Sequence, residues 1–127
     1  MRLRARAPFV ALALGTIALG LGVHWYASAL GPAIRDILGD ALWAMMIAWW
    51  VGALVPERAL SFRCSVALIV CIGVEVSQLV HTSMLDDLRR TVVGQLVLGS
   101  GFDPRDLVAY SLGVVAAAAL ERGWRRR

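Results

Sequence analysis

Glu75 and Gln78 stand one helical turn apart inside an apolar stretch, so a carboxylate and a carboxamide face the same way in surroundings that offer them little water. Such a pair can accept from hydroxyls, exchange a proton or meet a cation. Downstream lie Arg89 and Arg90, whose guanidinium groups bind carboxylate or phosphate in a forked geometry. Asp106 and Tyr110 follow, and Asp40 precedes the pair. Two carboxylates beside an Arg can serve as base and acid on a bound molecule, or as a network that only ties helices together.

The elements that must carry these residues are helices in a bilayer. Four apolar stretches divide the 127 residues: Phe9–Leu30, Ala41–Val55, Ser65–Leu79 and Leu107–Leu120. Apolar residues make up 59% of the chain, which leaves too little polar sequence to cover a soluble fold. The expected fold is a single all-α membrane domain over 1–127, with four transmembrane helices at 9–30, 37–55, 63–80 and 104–121. An ionisable group there costs about 2.5–3.5 kcal/mol on insertion scales, so Glu75 needs a partner or a purpose.

Every basic residue except the two His is Arg, and the distribution is uneven. Arg2, Arg4, Arg6, Arg58, Arg63, Arg122, Arg125, Arg126 and Arg127 fall on one side of such a topology, and Arg35, Arg89, Arg90 and Arg105 on the other. The positive-inside rule therefore puts both termini in the cytoplasm, in a multi-pass protein of the cytoplasmic (inner) membrane. Trp25, Tyr26 and Trp43 then lie near the outer interface and Trp124 near the inner one. The first stretch resembles a signal peptide, with Ala27-Ser28-Ala29 as a cleavage site, but its 22 residues suit a retained span better. Its Ala11, Gly15, Ala18 and Gly22 form a stripe suited to close helix packing. The second helix is expected to begin near Ile34, with Gly39 at its first turn. The fourth stretch has 14 uncharged residues, about 21 Å of helix, and must extend through Pro104 and Arg122 to cross.

Helical periodicity gathers the polar groups. Cys64, Leu68, Cys71, Glu75, Gln78 and Thr82 share a face of the third helix; Asp106, Tyr110, Gly113 and Ala117 share one on the fourth; Asp40, Trp43, Ile47 and Trp50 share one on the second. All three bring their polar members to the outer leaflet. Above them, Leu85, Leu88, Val92 and Leu96 give the 81–103 connection an apolar stripe, predicting an amphipathic or re-entrant helix ended by Gly99-Ser100-Gly101. Arg89 or Arg90 is then the expected partner of Glu75. Asp103 reads as an N-cap with Pro104 at N1 and Asp106 at N3, and Ser83-Met84-Leu85-Asp86 as a capping box. His81 falls off the Glu75 face and reads as an interfacial residue.

Cys64 and Cys71 lie seven residues apart on one helix, where a disulfide is implausible, and no metal-ligand spacing occurs. No metal site, cofactor or nucleic-acid partner is expected, and no nucleotide loop or nucleophile motif is present.

Three segments carry a family resemblance: Leu38-Gly39-Asp40-Ala41-Leu42-Trp43-Ala44, Val74-Glu75-Val76-Ser77-Gln78-Leu79, and Leu98-Gly99-Ser100-Gly101-Phe102-Asp103 continuing through Asp106, Tyr110 and Gly113. On these the chain resembles a bacterial family of small membrane proteins catalogued as domain of unknown function 2809. The order Glu-x-x-Gln, then Arg, then Asp and Gly on the last helix is more distantly similar to VanZ-like proteins, linked to glycopeptide-antibiotic resistance. The resemblance implies the architecture and the polar cluster, and no reaction.

Three functions are open. One is a site at the outer leaflet for an envelope lipid or lipid-linked glycan precursor, Arg89 or Arg90 holding phosphate and Glu75 and Asp106 meeting hydroxyls. A second is a non-enzymatic scaffold or accessory subunit for a membrane-protein partner. A third is a small proton-coupled transporter, which a midplane Glu and an inverted repeat would favour. A reporter fused after Arg127 is expected to read cytoplasmic and one inserted near Ser100 extracytoplasmic; a C-terminal reporter reading outside would show that a span was miscounted or that the first stretch is cleaved.

Overall fold

A computed structural model describes residues 2–99 and 101–127; Ser100 of the expected break and the side chain of Arg2 lie outside the described set. The elements are α1 (Arg2–Tyr26), a 3₁₀ turn (Ser28–Leu30), α2 (Pro32–Leu54), α3 (Leu60–Ser77), α4 (Ser83–Arg90), α5 (Val92–Leu98) and α6 (Pro104–Arg125). Among the described residues there is no strand.

Each long helix starts earlier than its apolar run. α1 takes in Arg4, Arg6 and Pro8 and stops at Tyr26, four residues short of the expected end. The chain then reverses through the 3₁₀ turn and Gly31, whose φ of 80° lies in the left-handed region that glycine tolerates. Pro32 follows at N1, where its missing N–H costs nothing, so α2 begins there and Gly39 sits well inside it. α3 covers 60–77 rather than 63–80, which places Arg63 a full turn inside the helix instead of at its first residue.

The long helices stack with α2 at the centre, packed against α1, α3 and α6, while α3 also packs against α6. Two clusters form the core: Ala44, Val51, Ala67, Cys71, Tyr110 and Val114 between α2, α3 and α6, and Phe9, Ala13, Trp49, Ala53 and Ala117 where α1 joins them. The closest approach is at Gly113, where any Cβ would overlap the carbonyl oxygen of Ala41 on α2.

Outward faces are strongly apolar, with Leu14, Leu19, Ile69, Val70, Ile72 and Val76 all exposed. Among the described residues, three helices are long and apolar enough to cross a membrane: Leu3–Tyr26, Pro32–Leu54 and Leu60–Ser77. α6 has 22 residues but carries Arg105, Asp106, Glu121, Arg122 and Arg125.

The 81–103 connection is not one amphipathic helix. Thr91 interrupts it with extended backbone, and its side chain accepts from the N–H of Gly94 as the N-cap of α5. A helix continued through Thr91 would forgo that cap, and two short helices result. Leu88, Val92 and Leu96 face away from the protein. The cap of α4 is Thr82, one residue before the expected box, its hydroxyl accepting from the N–H of Leu85 at 3.2 Å.

Replacing Gly113 by Ala should separate α2 from α6 and cost about 1–3 kcal/mol. Thermal unfolding in detergent measures it, and an unchanged midpoint would deny the close approach.

Candidate functional site

Glu75, on the last turn of α3, is fully buried. Its Oε1 accepts from the backbone N–H of Asp103 at 2.7 Å, and its Oε2 from the hydroxyl of Tyr110 at 2.9 Å. Both donors come from the start of α6: Asp103 is its N-cap, and Tyr110 faces α3 two turns further on. Glu75 therefore ties the end of α3 to the beginning of α6.

The expected ion pair between Glu75 and Arg89 or Arg90 does not form. Arg89 is buried, but its Nη1 donates to the carbonyl of Val80 at 2.9 Å and its Nη2 to that of Ser77 at 2.8 Å. Ser77 closes α3 at the negative end of its dipole, its carbonyl also accepting from the N–H of Val80, and Val80 lies in the turn that follows; the guanidinium fork answers both carbonyls at once. Asp86 completes the arrangement, 3.3 Å from Arg89 Nη1 and 3.3 Å from Nδ1 of His81. Arg90 points outward, with Asp87 at 3.8 Å.

Gln78 is buried beside Gly99, whose φ of 70° admits glycine and whose missing Cβ leaves room for the carboxamide. Among the described residues the Oε1 of Gln78 has no hydrogen-bond partner. Thr82, expected on the same face, is exposed and belongs to α4.

The Asp40 and Asp106 carboxyls are neighbours, with Glu75 close to both. Two neighbouring carboxyls can accept from a hydroxyl or meet a cation. Both residues are half-buried, and neither has an Arg partner among the described residues. Trp43, one turn beyond Asp40, lies 5.5 Å from the Tyr110 ring, its buried indole N–H unpaired. At the mouth, the N–H of Arg105 and then its guanidinium hold the Asp103 carboxyl below its ordinary range. No group of three or more His, Cys, Asp or Glu able to hold a metal occurs among the described residues.

A second polar centre lies at the other end of the bundle. Arg63 and Glu121 form a buried forked pair, Nη1 to Oε2 at 3.0 Å and Nη2 to Oε1 at 2.5 Å. Arg125 also donates to Glu121 at 2.7 Å, and the Arg63 guanidinium stands 5.1 Å from the centre of the Phe9 ring. By sequence, Arg63 falls at the start of the third helix, and neither it nor Glu121 is given a partner. The pattern was available: Arg63, Ala67, Cys71 and Glu75 are successive four-residue steps, and Glu121 extends the Tyr110, Gly113, Ala117 face by one.

A family model described as Protein of unknown function (DUF2809) matches residues 29–114. The chain belongs to that family. The DUF2809 match takes in α2 to α5 and the first half of α6, hence all of Asp40, Glu75, Gln78, Arg89, Arg90, Asp106 and Tyr110, while Phe9 and Glu121 lie outside it. No solved structure matches the chain.

Tyr110→Phe removes one donor to a buried carboxylate and should cost about 1–3 kcal/mol. In a double-mutant cycle Glu75→Gln should couple to Tyr110→Phe and not to Arg89→Gln. Coupling to Arg89 alone would overturn the assignment of Glu75's partners.

Proposed function

We propose that this is a four-span, non-enzymatic integral membrane protein with both ends of the chain in the cytoplasm, acting as a scaffold or accessory subunit. The observation that carries this reading is the saturation of Glu75. Both its oxygens are engaged within the chain, and Arg89, which would have held a phosphate, is spent on the end of α3. The carboxylate at the cluster's centre and the guanidinium nearest to it in the sequence are thus both committed to holding the fold.

α6 counts as the fourth span on this reading. Its charges sit near its two ends, where Arg side chains reach the headgroups, and Glu121 is neutralised inside the bundle. The Ala11, Gly15, Ala18 and Gly22 stripe of α1 supports association: Ala11, Gly15 and Ala18 are exposed, and among the described residues no other element comes within 4 Å of a Cβ built on Gly15 or Gly22.

One observation favours a second reading. The Asp40–Asp106 pair is half-exposed, lacks an Arg, and adjoins the Trp43 and Tyr110 rings. Acceptors beside aromatic rings suit the hydroxyls of a glycan headgroup on an envelope lipid. They do not suit its phosphate.

Complementation of a deletion strain separates the two. Asp40→Asn with Asp106→Asn keeps the shape of the pair and removes its charge. A scaffold should fold and complement fully with both changes. Normal expression and unfolding midpoint with failed complementation would overturn the scaffold in favour of headgroup binding.

A further inference from the structure

Charge is polarised along the bundle. The end that holds Asp40, Glu75 and Asp106 has seven carboxylates and four Arg, whereas the other has nine Arg and only Glu57 and Glu121. Glu121 is buried and already engaged by Arg63 and Arg125. Among the described residues, Arg4, Arg6, Arg58, Arg122, Arg126 and Arg127 have no carboxylate partner.

The N-termini of α1 and α3 meet the C-termini of α2 and α6 at this end, so the helix dipoles offset in sum and what is left is local. α6 is matched, with Asp106 in its first turn and Arg122 and Arg125 in its last. α1 is the reverse: its positive N-terminal pole has no acidic residue in the first turn, and Arg4 and Arg6 stand there instead. α3 opens at the same end with neither an acidic residue in its first turn nor a side-chain cap. Positive side chains on positive poles call for anions from outside the chain.

The apolar groups at that end narrow which anions. Leu3, Phe62 and Trp124 are exposed among the Arg, and the Arg58 guanidinium lies 5.4 Å from the Phe62 ring centre. A soluble anion would neutralise the Arg and leave these side chains in water. A lipid headgroup with its acyl chains answers both needs.

We propose that the Arg-rich end, formed by the start of α1, the α2–α3 loop and the end of α6, is a docking surface for the phosphates of anionic lipids in the leaflet it faces. The proposal rests on the chain spanning a membrane, and it assigns a ligand to the end of the bundle remote from the acid pair.

The test uses the full chain in a neutral maltoside detergent, with thermal unfolding followed during titration by phosphatidylglycerol, phosphatidylcholine or inorganic phosphate. Phosphatidylglycerol should raise the midpoint at mole fractions where phosphatidylcholine does not, and added salt should erode the gain. Each exposed Arg replaced, in the series Arg4→Gln, Arg122→Gln and Arg126→Gln, should weaken the half-saturating concentration about fivefold. Equal stabilisation by phosphatidylcholine, or an unchanged titration in the triple variant, would overturn the proposal. Reproduction of the gain by inorganic phosphate would overturn it in favour of a soluble-anion site. Should the triple variant fail to fold, Arg126→Gln with Arg127→Gln, confined to the last two residues, gives the same reading. An alkaline carbonate wash tests the spanning reading separately: release from membranes would refute that reading, while the lipid titration is scored on purified protein either way.

Discussion

A carboxylate removed from water must find donors inside the protein, and this bundle meets that demand twice along one helix pair. α3 and α6 run antiparallel. At one end Glu75 of α3 accepts from Asp103 and Tyr110 of α6, and at the other Glu121 of α6 accepts from Arg63 of α3. Arg63 and Glu75 are about 18 Å apart along α3, and Tyr110 and Glu121 about 16 Å apart along α6, at 1.5 Å per residue. Nearly equal spacings let both ties close together, and a slide of either helix by one turn would break both. Losing one partner of the buried Arg63–Glu121 pair costs about 3–5 kcal/mol, so that tie in particular resists a slip of register. Gly113, lying against Ala41 between the ties, then sets how close α2 can approach the pair.

The fate of Arg89 follows from the same rule applied to backbone. α3 ends at Ser77, where its last carbonyls have no partners further along the helix. A turn leads directly into α4, so a residue one helix later can reach back. Arg89 does so with both terminal nitrogens, on Ser77 and Val80. Glu75 would have made a strong partner for it, but Glu75 is already satisfied by two donors from α6. Which carboxylate an Arg finds is decided by where the chain turns, and a linear sequence does not display that.

The legible parts were those whose physics is local. Asp103 before Pro104 is an N-cap by short-range chemistry alone, and it caps α6 by accepting from the N–H of Arg105. The face joining Cys71, Glu75 and Gln78 follows from helical period, and all three residues are buried. What could not be read depended on distant partners. Arg63 looks like a free cation at a helix start until Glu121, 58 residues away, is seen beside it. Leu85, Leu88, Val92 and Leu96 keep helical spacing through Thr91, so periodicity does not register that Thr91 serves better as a cap than as a helix interior. The far ends of α1 and α2 were missed because Gly31 and Pro32 act on backbone conformation, to which a hydropathy profile is blind.

The two polar centres also bear on transport. Passage of a proton or ion through the bundle needs groups that hand it from one end to the other. Between the Glu75 cluster and the Arg63–Glu121 pair, the α2–α3–α6 interior consists of Ala44, Ala67, Cys71, Val114 and Ala117, all buried and closely packed. At the basic end Phe9 and Trp49 close over the ion pair from α1 and α2. Glu121 is held on both oxygens by Arg63, with Arg125 as a further donor, so it is committed to joining α3 to α6. The arrangement suits a bundle fastened at both ends around an apolar middle, and its unspent polar capacity lies at its surfaces: the Asp40–Asp106 pair at one end and the unpaired Arg at the other.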